Sequence, residues 1–162
     1  VAGRGAILTV AMRLRDVTDA DLSILYEQQR DPDAAAMAHF ASRDRDAFME
    51  HWRTRVLGKA TTLVKTIDED GEVAGYVASW NPDTGGREVA YWLGRAFWGR
   101  GIATAALAAF LRDVDAHRPL TGVVAVTNVG SRRVLEKCGF VAEAVPSAAA
   151  DGVMEVALVL RG

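Results

Sequence analysis

The stretch YWLGRAFWGRGIATAAL sets a strand, a glycine-bearing turn and the start of a helix in direct succession. Backbone N–H groups at a helix start are unpaired and carry the positive end of the helix dipole, so such a turn suits a pyrophosphate. Gly99 and Gly101 would let phosphate oxygens approach the main chain, or would serve only to close a tight turn. Gly94 to Gly101 has the glycine spacing of a P-loop. It lacks the lysine and the Ser or Thr that should follow, which excludes a nucleotide hydrolase of that kind. A dinucleotide site would need a glycine where Thr104 stands and an acidic residue ending a second strand; Gly99-Arg100-Gly101 supplies only the first half. From Arg95 to Lys137 seven basic residues face three acidic ones, whereas Met12 to Gly94 holds ten basic and fifteen acidic. The second half thus suits an anionic ligand and the first half could attract an amine.

A second segment, TNVGSRRVLEKCGF, follows the next strand. Together the two segments resemble the GNAT superfamily of acyl-CoA N-acyltransferases, whose pyrophosphate turn reads Q/R-x-x-G-x-G/A. A later N-x-x-A/S helix in that superfamily ends in a hydrophobic-Glu-Lys-x-Gly-Phe run. The first motif maps to Trp98-Gly99-Arg100-Gly101-Ile102-Ala103, and the second to Asn128, Ser131, Leu135, Glu136, Lys137, Gly139 and Phe140. The opening LRDVTDADLSILYEQQRDP, the strand EVAYWL and the phrase FWGRGIAT look most like the branch of ribosomal-protein N-terminal acetyltransferases, and the resemblance spans Met12 to Leu160. Two positions depart from the superfamily pattern: Trp98 stands for the usual Gln or Arg, and Leu135 where a tyrosine acid is often found.

The resemblance implies acetyl-CoA as co-substrate and a primary amine as acceptor, on a peptide N-terminus or a small molecule. Acetyl transfer would be direct, with no metal and no covalent enzyme intermediate. It implies cofactor contacts from Trp98, Gly99, Arg100, Gly101, Ile102, Ala103 and Thr104, and from Asn128, Ser131 and Arg133 further on. The N–H groups near Trp92 and Leu93, where two parallel strands part, would stabilise the charge developing on the thioester carbonyl. Glu88, on the same strand, is the candidate base, acting directly or through water. With Leu135 unable to donate a proton, Ser131 is the candidate acid for the departing thiolate. A non-catalytic acyl-CoA-binding module is the competing expectation. His39 and Phe40, between the first helices, could line the acceptor pocket.

The elements that must position these groups are legible from periodicity. Met12, Leu14 and Val17 suggest a strand, and Leu22, Leu25 and Tyr26 a helix that Thr18 or Asp19 caps and Asp31-Pro32 ends. A second helix is expected from Asp44 to Leu57 through Phe48, Trp52 and Val56. TTLVKTI and EVAGYVASW then form a hairpin about Asp70-Gly71. REVAYWL, a helix from Gly101 to His117, and LTGVVAVT make the one natural parallel crossover. VGSRRVLEKC gives a last helix, stopped by Gly139, while FVAEAV and VMEVALVL give two closing strands around a PSAAADG loop. The expected fold is a single mixed α/β domain over residues 12–162, ordered β-α-α-β-β-β-α-β-α-β-β, with six to seven strands and four helices; residues 1–11 read as a poorly ordered extension.

At 162 residues, half hydrophobic and a quarter charged, the chain can bury a core unaided. Its net charge of −2, without a basic block, argues against nucleic acid, and no apolar run is long enough for a membrane helix. One cysteine and three scattered histidines offer neither a disulfide nor zinc spacing. The expected location is cytoplasmic, and the resemblance adds a homodimer as an expectation.

Overall fold

The computed structural model describes residues 12–38, 42–143 and 145–162. Its elements are β1 (Met12–Arg15), α1 (Asp19–Gln29), α2 (Pro32–Met37), α3 (Arg45–His51), β2 (Leu63–Glu69), β3 (Glu72–Trp80), β4 (Glu88–Leu93), α4 (Ile102–Asp113), β5 (Leu120–Ala125), α5 (Val129–Lys137), β6 (Val141–Ala142), β7 (Ser147–Ala148) and β8 (Met154–Leu160). The strands form one sheet in the order β1-β2-β3-β4-β5-β8-β6, with β7 also on β8. The β2–β3 hairpin closes through Asp70 and Gly71, both at positive φ, as its right-handed twist requires.

Among the described strands only β4 and β5 run parallel, joined by the α4 crossover, and they share a single register pair, Glu88 with Thr121. Beyond that pair the two strands part and the sheet opens into a cleft. α4 lies on one face, burying Ile102, Ala106, Leu107, Phe110 and Leu111 against Ile67, Val77, Val89, Leu120, Val124 and Leu158. α1 and α3 cover the other face with Leu22, Leu25, Phe48 and Trp52. Each such side chain contributes about 1.5–3 kcal/mol.

The structure adds elements that periodicity does not show. Asp31-Pro32 does end α1, yet it also starts α2: Asp31 accepts from the Asp33 N–H and Pro32 takes the first helical position, where it lacks no bond. The helix expected from Asp44 to Leu57 divides into α3 and a π turn over Trp52–Val56, closed by Leu57 N–H to the Trp52 carbonyl at 2.8 Å. α4 stops at Asp113, short of His117, because Asp115 turns inward to Arg87. The PSAAADG loop contains the two-residue strand β7, and FVAEAV pairs with β8 only at Val141 and Ala142. The expected extension at residues 1–11, and His39 and Phe40, lie outside the described residues.

Candidate active site

The gap between β4 and β5 holds a cavity of about 300 Å³. Trp92 and Leu93 form its β4 wall, Trp98, Gly99 and Ala103 its upper end, and Asn128 and Ser131 the side towards α5. Ala34 and Met37 of α2 close it, so the helix missed in the sequence is part of the site. Arg95 fastens α2 to the turn through Asp31 at 2.9 Å and through Asp33, which removes this arginine from the pool of free cations. Gly99 and Gly101 stand at φ +73° and +75° with open space where a side chain would start. Gly101 is the N-cap of the twelve-residue α4, whose first N–H groups have no side-chain cap, and Gly99 and Ala103 on either side of it line the cavity. Trp98 folds back to donate its Nε1–H to the Leu93 carbonyl at 2.9 Å, which braces the turn against the strand end.

Strand alternation sends Tyr91 to the α4 and α5 face, where its hydroxyl lies 2.8 Å from Ser131 Oγ. Both line the cavity. Burial pushes the Tyr91 phenol up to about 12, so it stays protonated at any physiological pH. Nothing local in the sequence marks Tyr91; only the alternation of EVAYWL places it beside the N-x-x-S helix. Asn128 Oδ1 accepts from the Ser131 N–H at 3.2 Å and caps α5, leaving its amide NH₂ for the cavity. Leu135 points away, packed over Gly122 at 3% exposure, which explains why a polar residue is not needed there.

A second cavity, of about 600 Å³, lies on the α1 and α3 side. Phe48, Trp52, Tyr76, Trp80 and Ala90 line it, and Trp92 borders both cavities. Gly75 makes that arrangement feasible, since a Cβ there would sit 1.9 Å from the Trp92 carbonyl oxygen. Glu88 shares the strand face of Ala90 and Trp92 but lines neither cavity; it sits about 13 Å along the strand from Trp92. Burial and the facing Glu155 raise its carboxyl above the ordinary range.

The GNAT acetyltransferase domain model matches residues 11–141, most of the chain. The chain belongs to the GNAT acetyltransferases. Solved structures agree at the level of fold. An aminoglycoside acetyltransferase, AAC(6')-Ib, determined with coenzyme A, superposes with a TM-score of 0.76 at 22% identity, covering 93% of this chain and 95% of that one. RimL, a ribosomal L7/L12 alpha-N-protein acetyltransferase determined with coenzyme A, gives 0.77 at 18%, covering 94% of each. A GNAT acetyltransferase from Bacillus anthracis gives 0.75 at 14%, covering 93% and 94%. No curated protein matches the sequence closely enough to report.

For a GNAT protein the expected cofactor residues divide in two. Trp92, Leu93, Trp98, Gly99, Ala103, Asn128 and Ser131 line the cleft cavity. Ile102 is buried in the core, so only its backbone is available, and Arg100, Gly101, Thr104 and Arg133 stand outside the cavity wall. Arg100 is half-exposed, 3.5 Å from Glu69. Cys138 is a partly buried neighbour of the core, its thiol pushed up by burial. Among the described residues no cluster could hold a metal, and no helix is long and apolar enough to cross a membrane.

Proposed function

We propose that the chain moves an acetyl group from acetyl-CoA directly to a primary amine. The observation that carries this reading is the pair of cavities meeting at Trp92, one with open positive-φ glycines at a helix start and a Tyr91–Ser131 hydroxyl pair, the other walled by aromatic side chains. The structural relatives determined with coenzyme A support the first cavity as the cofactor site.

In this reading the diphosphate rests on the backbone at Gly99 to Ala103, and Arg100 and Arg133 offer charge at its edge. The pantetheine arm runs down the gap towards Asn128. The thioester carbonyl then lies by Trp92 and Leu93, where β4 no longer has β5 as a ladder partner and an N–H can stabilise negative charge. The amine attacks from the larger cavity. Glu88, which lines neither cavity, takes the amine's proton only at the end of a chain of waters, and its raised pKa makes it the better acceptor there. Ser131 donates to the leaving thiolate as Tyr91, 2.8 Å away, passes its proton to Ser131, and the phenol is reprotonated from solvent through the open cavity. The acceptors of the relatives, an aminoglycoside and a ribosomal protein, leave the amine open between a small molecule and a peptide N-terminus.

Thiol release measured with acetyl-CoA and a panel of amines tests the reading, alongside calorimetric titration with CoA. Release with at least one amine is expected. Tight CoA binding without release from any amine would mark a binding module instead.

A further inference from the structure

We propose, resting on the transferase reading, that the acceptor is a small amine carrying an anionic group on a flat apolar body, because the cavity beyond Trp92 joins an aromatic floor to a cationic rim. Arg43, Arg55 and Lys59 line this cavity together with Trp52, Tyr76 and Trp80. No carboxylate lines it among the described residues. The contrast with composition is informative, since the segment that builds the cavity is the acidic half of the chain. Four of its carboxylates are paired away from it, Asp16 with Lys65, Asp19 with Arg53, and Asp21 and Asp68 with Arg15. The expectation that this half attracts an amine by its charge therefore does not hold at the cavity.

Arg55 and Lys59 have no ion-pair partner among the described residues, and both are exposed at the rim. The π turn puts Arg55 there: its wider ring carries Trp52, Arg55 and Val56 to the cavity wall. His51 adds no charge at neutral pH, because burial and the proximity of Arg43 and Arg55 hold its imidazole below the usual range. Gln29 supplies the complementary polar point. It is 3% exposed, its Nε2 donates to the Arg43 carbonyl at 3.1 Å, and its Oε1 is buried with no hydrogen-bond partner among the described residues. A buried acceptor oxygen in that state favours an N–H donor, which a substrate amine is. The volume of about 600 Å³ accommodates a ligand of one or two rings. Kanamycin, the polycation in one AAC(6')-Ib structure, has the wrong charge for this rim.

The test compares para-(aminomethyl)benzoate with its primary amide, and L-phenylalanine with L-phenylalaninamide, each with acetyl-CoA; kanamycin is the third arm. Within at least one pair the carboxylate should be acetylated with a kcat/KM about tenfold or more above the amide, and the ratio should fall towards one in Arg55→Glu/Lys59→Glu. Kanamycin should be the poorest acceptor. Amides equal to or better than the acids in both pairs, or kanamycin preferred, would overturn the inference. Tryptophan fluorescence gives a readout without turnover, since Trp52, Trp80 and Trp92 line the cavity. Titrated in the presence of CoA, tighter binding of an acid than of its amide supports the inference even where no thiol is released, an outcome that removes only the transferase reading. Equal or reversed affinities remove the inference itself.

Discussion

Tyr91 and Ser131 are far apart in sequence and 2.8 Å apart in space, and their pairing changes what each can do. Alone, Ser131 reads as a first-turn helix residue. Beside a phenol held protonated it is, in the proposed reaction, the near end of a two-hydroxyl relay at the cleft cavity. Ser131→Ala and Tyr91→Phe should each lower kcat by about tenfold to a thousandfold with little change in the Kd for acetyl-CoA, as stopped-flow turnover and calorimetry would read. A Tyr91→Phe variant that melts earlier yet turns over normally would reduce the pair to packing. Glu88 makes a separate statement about pH. Its carboxyl is raised, so if Glu88 is the proposed base, its ionised form is lost as pH falls, at a higher pH than for an ordinary glutamate. Glu88→Gln should cost about a hundredfold and remove that acidic limb from the kcat profile. An unchanged limb would assign it to the amine or to another group. The motif residues of this site were readable because glycines at positive φ and an N-cap asparagine have few substitutes. Tyr91 and Gln29 were not, because Tyr91 matters only once β4 faces α5, and Gln29 only once α1 packs over the sheet beside Arg43.

At the scale of elements, the ends are where sequence and structure part. The hairpin about Asp70-Gly71, the parallel crossover and the Gly139 stop were legible, since each depends on local conformation. α2 was hidden by the proline taken as a stop signal, and the π turn by a periodicity that holds until the residue where one extra peptide enters the ring. Both hidden features line the two cavities. The start of α4 makes a direct prediction: Gly101→Glu should abolish CoA binding in calorimetry, because a side chain at φ +75° is strained and its carboxylate meets the phosphates. Unchanged affinity would place the diphosphate elsewhere. The start of α1 is fixed differently. Asp21, almost wholly buried, takes two bonds from Arg15, one from Thr66 and one from the Thr18 N–H, and these hold its carboxyl down to about 2. Its stabilising effect is therefore complete above the ordinary carboxylate range and is lost as pH falls through about 2, amounting to about 2 kcal/mol. Urea unfolding of the wild type between pH 5 and 2 should show that loss, and Asp21→Asn should show a shallower slope. Equal slopes would mean that other carboxylates carry the acid sensitivity.

Across the whole molecule, the parted sheet is held at its closed end by a buried polar cluster. Arg87 donates to Asp115 Oδ2 at 2.6 Å and to Ser79 at 3.0 Å, which joins the start of β4, the end of β3 and the segment after α4. Arg87→Leu strands the Asp115 carboxylate in the interior and should cost about 3–5 kcal/mol, lowering Tm by about 6–20 °C in a thermal melt. A shift of less than two degrees would show that the cluster is dispensable. The fold class followed from the order of strands and helices, but this lock did not, since nothing in the sequence links Ser79, Arg87 and Asp115. The single register pair between β4 and β5 has a consequence for deuterium uptake. Beyond that pair the amides of Tyr91 and Leu93 point away from β3 and have no β5 ladder partner, while those of Ala90 and Trp92 face β3. In heavy water this one strand should label in two phases, its inner set slowly and its cleft set quickly. Acetyl-CoA should merge the two by occupying the missing ladder with its own amides.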